Sequence, residues 1–405
     1  MSDDVTLPVY LDWAATTPLR PCACEAMRPL LQEGIAGLMA GGGNANSLYR
    51  VGRTAFKALE GAREDLARLI GARPNEIIFT SGATEADNAA LFGMVDALMM
   101  QAEHAGDHDC VPNVVVSSIE HDAVLSAARV LNGWGADVTV VEPDRNGFIT
   151  PEALADAMNE HTILVSVMAV NNEIGSVMDI PALAKVVRSK GNHGKGALFH
   201  VDATQALGKV PLSVRDWMVD ALSLSSHKVG GPKGVGALYL RTRTPFSAQM
   251  VGGGQESGHR SGTQNVAGVV GFVAAAKQAV AEQASEAKRL MLLRDRCYEG
   301  LCACEGVEAT VSCAAGSKDY SPHVVNVTVA GVESETLILR LDNAGFCVSG
   351  GSACASHSLD PSHVLKALGI SRDRALTSMR VSFGWETTEA DVEAFIACFR
   401  EIFGE

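Results

Sequence analysis

Residues 197–240 read ALFHVDATQALGKVPLSVRDWMVDALSLSSHKVGGPKGVGALYL. The apolar segments ALFHVD and ALSLS are typical of short buried strands, and each is followed by residues able to carry chemistry. Asp202 closes the first segment, and Lys228 follows the second. Ligands of an open parallel sheet bind outside the carboxyl ends of its strands. We therefore expect these two side chains to converge on one ligand.

Alternating helical and strand-like segments extend on both sides of this stretch. Apolar residues recur at helical spacing over residues 51–70, Gly71 supplies a stop, and the apolar segment EIIFT follows at 76–80. The alternation is typical of βαβ units and predicts an α/β fold with a mostly parallel sheet. After about Gly252, a glycine-rich loop and a long helical stretch lead into shorter segments, which predict a smaller α+β domain.

Composition excludes several classes of protein. The 405 residues are 47% hydrophobic and 20% charged, which is ordinary for a globular chain. A formal net charge of −14 disfavours nucleic acid and anionic membranes as main partners. No apolar run is long enough for a membrane helix, and the start MSDDVTLPVY lacks the plan of a signal peptide, so we expect a cytoplasmic protein. The ten cysteines show no C-x-x-C spacing, which predicts free thiols and no metal site.

Ser81-Gly82-Ala83-Thr84 lies between a strand-like and a helical segment. Free backbone N–H groups and hydroxyls at a helix N-terminus favour an anion, so the motif is a candidate phosphate site. Plain helix capping explains the same residues when they are taken alone.

The pair Lys228 and Asp202 adds a more specific chemistry. A lysine can attach to an aldehyde, and a buried Asp can keep a pyridinium nitrogen protonated so that the ring accepts electrons. Those are the two requirements of pyridoxal 5'-phosphate. Lys228 alone would be interpreted as a surface lysine and Asp202 as a strand-end cap. Their position after consecutive strands, with a phosphate site upstream, favours the cofactor.

Eight motifs occur in the order found in cysteine desulfurases, from about Val9 to the final helix: YLDWAATTP, FTSGATEADN, IEHDAV, VNNEIG, HVDATQALGK, SSHKVGGPKGVGALY, RSGTQN and SGGSACAS. The chain thus resembles the NifS/IscS-like group of class-V aminotransferases, which are fold-type I pyridoxal-phosphate enzymes. The resemblance implies a homodimer that converts L-cysteine to L-alanine. It also implies delivery of sulfur to an acceptor or scaffold protein, for iron–sulfur clusters or another product.

The resemblance implies a role for each site residue. Lys228 carries the cofactor, His121 stacks on its ring as acid/base partner, and Asp202 contacts its pyridinium nitrogen. Gln205 contacts the phenolate oxygen, and Arg380 binds the substrate carboxylate. Further cofactor contacts are implied for Ala83, Thr84, Asn172, Ser225, His227 and, from the neighbouring subunit, Thr263; Asn172 also serves the substrate.

Cys354, in SGGSACAS, is the implied nucleophile. Gly350 and Gly351 should let its loop move, as a thiolate needs if it attacks a sulfur in the pocket and then carries it outward. Several positions depart from the family pattern and put the pocket rim and the acceptor in question: Ala45, Asn46, Tyr49, Ser257 and Trp385.

We expect residues 17–265 to form the large cofactor-binding domain. Residues 1–16 and 266–405 should form the small domain that carries the Cys354 loop. Two rival activities of the same fold stay open, namely selenocysteine lyase and cysteine sulfinate desulfinase. A sulfur carrier without turnover is a third alternative, which the presence of Lys228 and Cys354 disfavours.

Overall fold

The computed structural model describes residues 7–106, 111–351 and 360–403. Its strands are β1 (Val9–Tyr10), β2 (Ile77–Thr80), β3 (Asn113–Ser117), β4 (Asp137–Val141), β5 (Thr162–Ser166), β6 (Leu198–Asp202), β7 (Ala221–Ser225), β8 (Gly236–Leu240), β9 (Val307–Ala309), β10 (Val324–Val329), β11 (Phe346–Cys347) and β12 (Ser378–Ser382). Its helices are α1 (Pro21–Met27), α2 (Ile35–Gly37), α3 (Arg50–Ile70), α4 (Ala83–His104), α5 (Asp122–Gly133), α6 (Pro151–Ala157), α7 (Ile180–Ser189), α8 (Val214–Trp217), α9 (Val266–Cys302), α10 (Ser334–Asn343), α11 (His363–Ala367), α12 (Arg372–Ala375) and α13 (Glu389–Phe403).

The central sheet has the strand order β2-β8-β7-β6-β5-β3-β4. All its pairings are parallel except the two made by β8, which runs antiparallel to β2 and β7. The mostly parallel α/β sheet expected from the sequence is confirmed. In its register Asp202 pairs with Ser223, so β6 and β7 end side by side and bring Asp202 and the residues after Ser225 to one edge.

Both faces of this sheet are covered. One buried cluster contains residues of α3, α7 and the first half of α9. Another lies on the opposite face between the sheet and helices α4 and α5. The sheet is therefore buried from both sides, as parallel sheets require.

A smaller unit follows α9. Strands β9, β10 and β12 form an antiparallel sheet, and β1 pairs in parallel with β11. Their buried cluster includes Leu11, the second half of α9 and α13. Helix α9 thus joins this cluster to the core of the large sheet. The expected boundary near residue 265 lies just before α9 and stays a prediction.

Local signals explain several element ends. Helix α3 stops where Gly71 adopts the left-handed conformation at φ 74° and donates its N–H to the carbonyl of Ala67. The buried Glu256 accepts two hydrogen bonds from the Arg63 guanidinium, at 2.6 and 2.9 Å, and one from the Phe79 N–H at 2.9 Å. This ion pair ties the glycine-rich loop to α3 and β2, and breaking such a buried pair costs about 3–5 kcal/mol.

Within the described ranges, no helix is long and apolar enough to cross a membrane. The cysteines in those ranges form no disulfide.

Candidate active site

A cavity of about 510 Å³ opens at the carboxyl edge of the central sheet. Most residues expected at the site line it: Ala83, Thr84, His121, Asn172, Asp202, Gln205, Ser225, His227, Lys228 and Arg380. They come from six separate stretches of the chain, so the fold brings together what the sequence keeps apart. Thr263 is exposed and does not line this cavity. Cys354 lies outside the described residues.

The N-terminus of α4 forms one wall of the cavity. Gly82 is its N-cap residue, and Ala83 and Thr84 lie in its first turn. The adjoining carboxylate, Glu85, accepts the Ser81 N–H at 2.8 Å and is neutralised by Arg260, whose Nε lies 2.8 Å away. The helix dipole and free N–H groups of a 22-residue helix therefore face the cavity, with the nearest carboxylate already paired.

Lys228 lies in a one-turn helix, residues 226–228, that follows β7 directly. Its Nζ donates to the carbonyl oxygens of Ala14 at 2.6 Å and Ala15 at 2.8 Å. The N-terminal YLDWAATTP segment thus supplies acceptors that hold the amine at the cavity wall.

Asp202 ends β6 and is buried, with its Oδ1 accepting the N–H of Thr204 at 2.8 Å. Two further buried carboxyls lie near it. Burial, and then the charge of Asp202, raises the pKa of Asp87 well above its ordinary value. Burial raises the pKa of Glu120 to about 8. A pKa of about 8 leaves Glu120 mostly protonated near neutral pH.

His200 lies within this cluster as a neutral ring. Its Nε2 lies 3.5 Å from Oδ1 of Asp87, and its Nδ1 lies 2.8 Å from the Ser166 hydroxyl. Burial lowers the pKa of His200 to about 4.

His121 is the N-cap residue of α5. Its Nδ1 accepts the N–H of Ala123 at 3.1 Å. Because that nitrogen accepts, the neutral ring carries its proton on Nε2. His121 therefore both caps α5 and lines the cavity.

His227 is a second histidine of the cavity whose ring is held by a hydrogen bond. Its Nδ1 lies 3.0 Å from the hydroxyl of Thr16. Burial first, and then the charge of Lys228, lowers the pKa of His227 to about 4, so the ring is neutral near neutral pH. It lines the cavity as a polar, uncharged group.

Arg380 is buried and makes two contacts to protein oxygens. Its Nη1 donates to the carbonyl of Asn172 at 2.9 Å, and its Nη2 lies 2.7 Å from Oδ1 of Asp12. Its Nε has no hydrogen-bond partner among the described residues. These contacts fix the guanidinium and use two of its five N–H groups, so further donors are left for an anion in the cavity.

Sequence reasoning missed two residues at this site. Asp12 pairs with Arg380, and Lys209 donates to Oε1 of Gln205 at 2.6 Å. Asp12 belongs to the quoted YLDWAATTP motif, and Lys209 follows Gln205 by four residues in HVDATQALGK. Both residues lie within motifs that mark the family resemblance. The sequence alone does not show which side chain each of them contacts.

Trp385, which departs from the family pattern, packs away from the main cavity. Its ring meets that of Trp13 at a centroid distance of 4.6 Å, and the guanidinium of Arg20 lies 4.0 Å from the ring centroid. It lines a second cavity of about 50 Å³ behind the first, into which Lys209 and Lys228 also reach. The expectation that Trp385 changes the rim of the main cavity finds no support in this position.

The aminotransferase class-V family matches residues 9–395 of the chain. The cysteine desulfurase IscS of Pectobacterium atrosepticum is 43% identical over 400 residues, which are 98% of this chain and 93% of the relative. The chain belongs to the class-V aminotransferase family.

Solved structures of class-V aminotransferases agree with this assignment. A NifS-like protein superposes with a TM-score of 0.86 at 34% identity, covering 98% of this chain and 99% of the other. SspA in complex with cysteine gives a TM-score of 0.74 at 30% identity, covering 93% and 98%. These similarities place the chain in the cysteine desulfurase branch of the family.

Class-V aminotransferases depend on pyridoxal 5'-phosphate. The donor set found here fits that group: an amine, a buried carboxylate, a neutral imidazole and a helix N-terminus line one cavity. The hydroxyl of Thr204 is buried at the cavity wall and has no partner among the described residues, so a polar group is available to a ligand there.

Proposed function

We propose that this chain is a cysteine desulfurase that converts L-cysteine to L-alanine and takes the sulfur onto Cys354. The observation that carries the proposal is the meeting of Lys228, Asp202 and Arg380 in one cavity at the N-terminus of α4. The first two suit the cofactor, and the arginine suits the carboxylate of an amino acid. The likeness to IscS and to a protein solved with cysteine supports the same substrate.

Pyridoxal 5'-phosphate, when bound, supplies an electron-accepting ring that makes the bonds at the substrate's α carbon easier to break. The chain's own groups would hold it. Lys228 provides the amine for covalent attachment, Asp202 the anion for the ring nitrogen, and His121 the flat ring to stack on. Phosphate contacts are proposed for Ala83, Thr84, Ser225, His227 and, from the neighbouring subunit, Thr263.

Two groups are placed to move protons. Lys228 Nζ donates hydrogen bonds to two backbone carbonyls and can take up and return a proton at the reacting carbon. His121 carries its proton on Nε2 and lines the same cavity, so it can act as the acid.

Arg380 and Asn172 are proposed to bind the substrate. Arg380 has N–H groups beyond the two that contact Asp12 and the Asn172 carbonyl, so it can donate to a carboxylate while those contacts keep the guanidinium in place. Charge-assisted bonds of this kind select a substrate with a free carboxylate.

Cys354 is proposed to take the sulfur. Its thiolate forms an S–S bond to the substrate sulfur as the C–S bond breaks, and the electron pair stays on carbon, which is then protonated to give alanine. The enzyme is left with a persulfide. Ser349 and Gly351, at the near end of the loop, are linked by a 3.1 Å hydrogen bond, and Gly351 has a φ of 141°, a backbone conformation suited to glycine.

A homodimer is part of the proposal. Thr263 is exposed and away from its own chain's cavity, as a contact to a neighbouring subunit requires. Large apolar side chains are also exposed along residues 31–56 and at the glycine-rich loop: Leu31, Ile35, Leu38, Leu48, Tyr49, Phe56 and Val251. A second copy of the chain would remove this surface from water.

We propose that the sulfur passes to an acceptor or scaffold protein, which uses it for iron–sulfur clusters or another product. A cytoplasmic location stays a prediction.

The test is to load the purified chain with pyridoxal 5'-phosphate and offer it L-cysteine, L-selenocysteine and L-cysteine sulfinate with a thiol reductant. Alanine and sulfide in equal amounts, from cysteine above all, are the expected result. A marked preference for selenocysteine or the sulfinate would favour the corresponding rival activity. Absence of alanine from all three would overturn the proposal and favour a sulfur carrier without turnover.

A further inference from the structure

Lys209 lies in the loop after β6 and its side chain is partly buried. It lines the second cavity, of about 50 Å³, together with Lys228. Its ammonium meets a side chain of the candidate active site, because Nζ lies 2.6 Å from Oε1 of Gln205.

The contacts of Gln205 fix which end of its amide is which. A lysine can only donate hydrogen bonds and a backbone carbonyl can only accept them. Lys209 donates to one end of the amide, and the other end donates to the carbonyl of Ala14 at 2.8 Å. A flipped amide would set an NH₂ group against the ammonium and an oxygen against a carbonyl oxygen. The orientation is therefore enforced from both ends.

The same carbonyl of Ala14 also accepts the amine of Lys228 at 2.6 Å. The contacts thus run from Lys209 through Gln205 to the acceptor that holds the candidate cofactor lysine. Gln205 is buried and lines the main cavity, whereas Lys209 does not line it. Any effect of Lys209 on a ligand in the main cavity through these contacts passes through Gln205.

We propose that Lys209 is a positioning residue that keeps the NH₂ group of Gln205 turned toward the phenolate oxygen of the cofactor. This inference rests on the proposed function, because that function supplies the cofactor. The hydrogen bond from Lys209 also polarises the amide, which strengthens the hydrogen bond given by its NH₂ end. A stronger donor to the phenolate oxygen stabilises the form of the cofactor in which that oxygen is negative.

Other charged groups face Lys209 from the elements around it. Lys228 and Arg380 repel its charge, and this repulsion, after burial, lowers the pKa of Lys209 well below its ordinary value. Arg20, Glu286 and His323 line the same small cavity. Arg20 is paired with Glu282 at 2.7 Å, Glu286 with Arg289 at 2.8 Å, and burial holds the pKa of His323 well below its ordinary value.

The test follows the colour of the bound cofactor as a function of pH in the loaded enzyme. Lys209→Met removes the donor and should move the midpoint of the colour change upward by about one pH unit, a ten-fold change in the proton equilibrium. Lys209→Gln keeps a shorter donor, so its midpoint should fall between those of the wild type and Lys209→Met. It serves as the second variant if Lys209→Met does not fold. Lys288→Met, at an exposed lysine of α9, is the matched control and should leave the midpoint unchanged.

Gln205→Leu separates positioning from the loss of a charge. In that background, Lys209→Met should add no further shift, because its effect passes through Gln205. A full shift in the Gln205→Leu background would overturn the inference in favour of simple charge repulsion, and so would an unchanged midpoint in Lys209→Met. Failure of the wild-type chain to bind the cofactor would instead count against the proposed function.

Discussion

Arg380 is buried, and two of its nitrogens are already bonded to protein oxygens. Pairing with Asp12 offsets the cost of burying its charge and also fixes the orientation of the guanidinium. A substrate carboxylate therefore meets a guanidinium that needs no rearrangement. Preorganisation of this kind reduces the entropy lost on binding.

Arg380→Gln should raise the KM for cysteine about ten- to a hundred-fold, because a charge-assisted hydrogen bond contributes about 1.5–3 kcal/mol. Cofactor content should stay near that of the wild type. Asp12→Asn keeps an oxygen acceptor and is the matched variant, with a smaller expected change in KM. Steady-state kinetics on both variants check this, and an unchanged KM in Arg380→Gln would remove the residue from the substrate site.

Glu120 gives a pH-dependent prediction. Its pKa rises from an ordinary 4.5 to about 8 in the folded chain because it is buried. Between these values the folded state holds a proton that the unfolded state has lost, so this group's contribution to stability falls as pH rises from about 4.5 to about 8. Glu120→Gln should remove that fall.

Urea unfolding of the wild type and Glu120→Gln at several pH values measures the difference. The unfolding free energy of Glu120→Gln should rise relative to that of the wild type as pH rises from about 4.5 to about 8, because the variant lacks the Glu120 carboxyl. Parallel stability curves would show that Glu120 is ionised in the fold.

At the scale of elements, the sheet places the chemistry. β6 and β7 lie side by side and β2 leads into α4, so Asp202, Lys228 and the anion site share one edge. Strand β8 approaches the α4 N-cap closely enough that a Cβ on Gly236 would lie 2.7 Å from Cα of Gly82 and 2.6 Å from the carbonyl oxygen of Leu224. Glycine at 236 therefore leaves room for the N-terminus of α4, where the phosphate is proposed to bind.

Gly236→Ala should destabilise the chain by about 1–3 kcal/mol, the usual range for overpacking. It should also weaken cofactor binding, because the clash pushes on Gly82. Gly61→Ala, in the middle of α3 with no atom within 4 Å of the added Cβ, is the control and should be neutral or stabilising. Thermal melts and cofactor titrations compare the two, and equal cofactor affinity in both variants would contradict this account of the α4 N-terminus.

The elements with strong local signals could be predicted from the sequence. Apolar periodicity and Gly71 located α3, and the alternation of segments gave the parallel sheet. Helix α4 continues to His104, because nothing in residues 99–103 breaks a helix. The three-residue β9 was missed, since so short a strand is defined by its partner β10.

Positions in the site were predicted where a residue follows a strand. Asp202 ends β6, Lys228 and His121 follow strands, and all three line the cavity. The contacts of Asp12 and Lys209 could not be predicted, because they join segments that are distant in the chain or depend on side-chain direction. The nearness of Asp87 and Glu120 to Asp202 is likewise a product of the sheet packing.

At the scale of the whole molecule, the exposed apolar surface over residues 31–56 and the position of Thr263 point to a second copy of the chain. Sedimentation equilibrium should give twice the mass of the chain. Thr263→Ala should lower cofactor affinity about two- to ten-fold, as expected for loss of one hydrogen bond, about 0.5–1.5 kcal/mol. A monomer with full cofactor affinity would contradict the shared site.

Transfer of sulfur from cysteine to Cys354 can be followed by mass spectrometry of the loaded enzyme after brief exposure to L-cysteine. We expect one added sulfur on the peptide that contains Cys354, removable by dithiothreitol, with one alanine formed for each sulfur. Cys354→Ala should keep its cofactor and gain no sulfur. Burial raises the pKa of the Cys347 thiol, so that peptide should stay unmodified. Sulfur on Cys347 instead, or equal sulfide release by Cys354→Ala and wild type, would contradict transfer to Cys354.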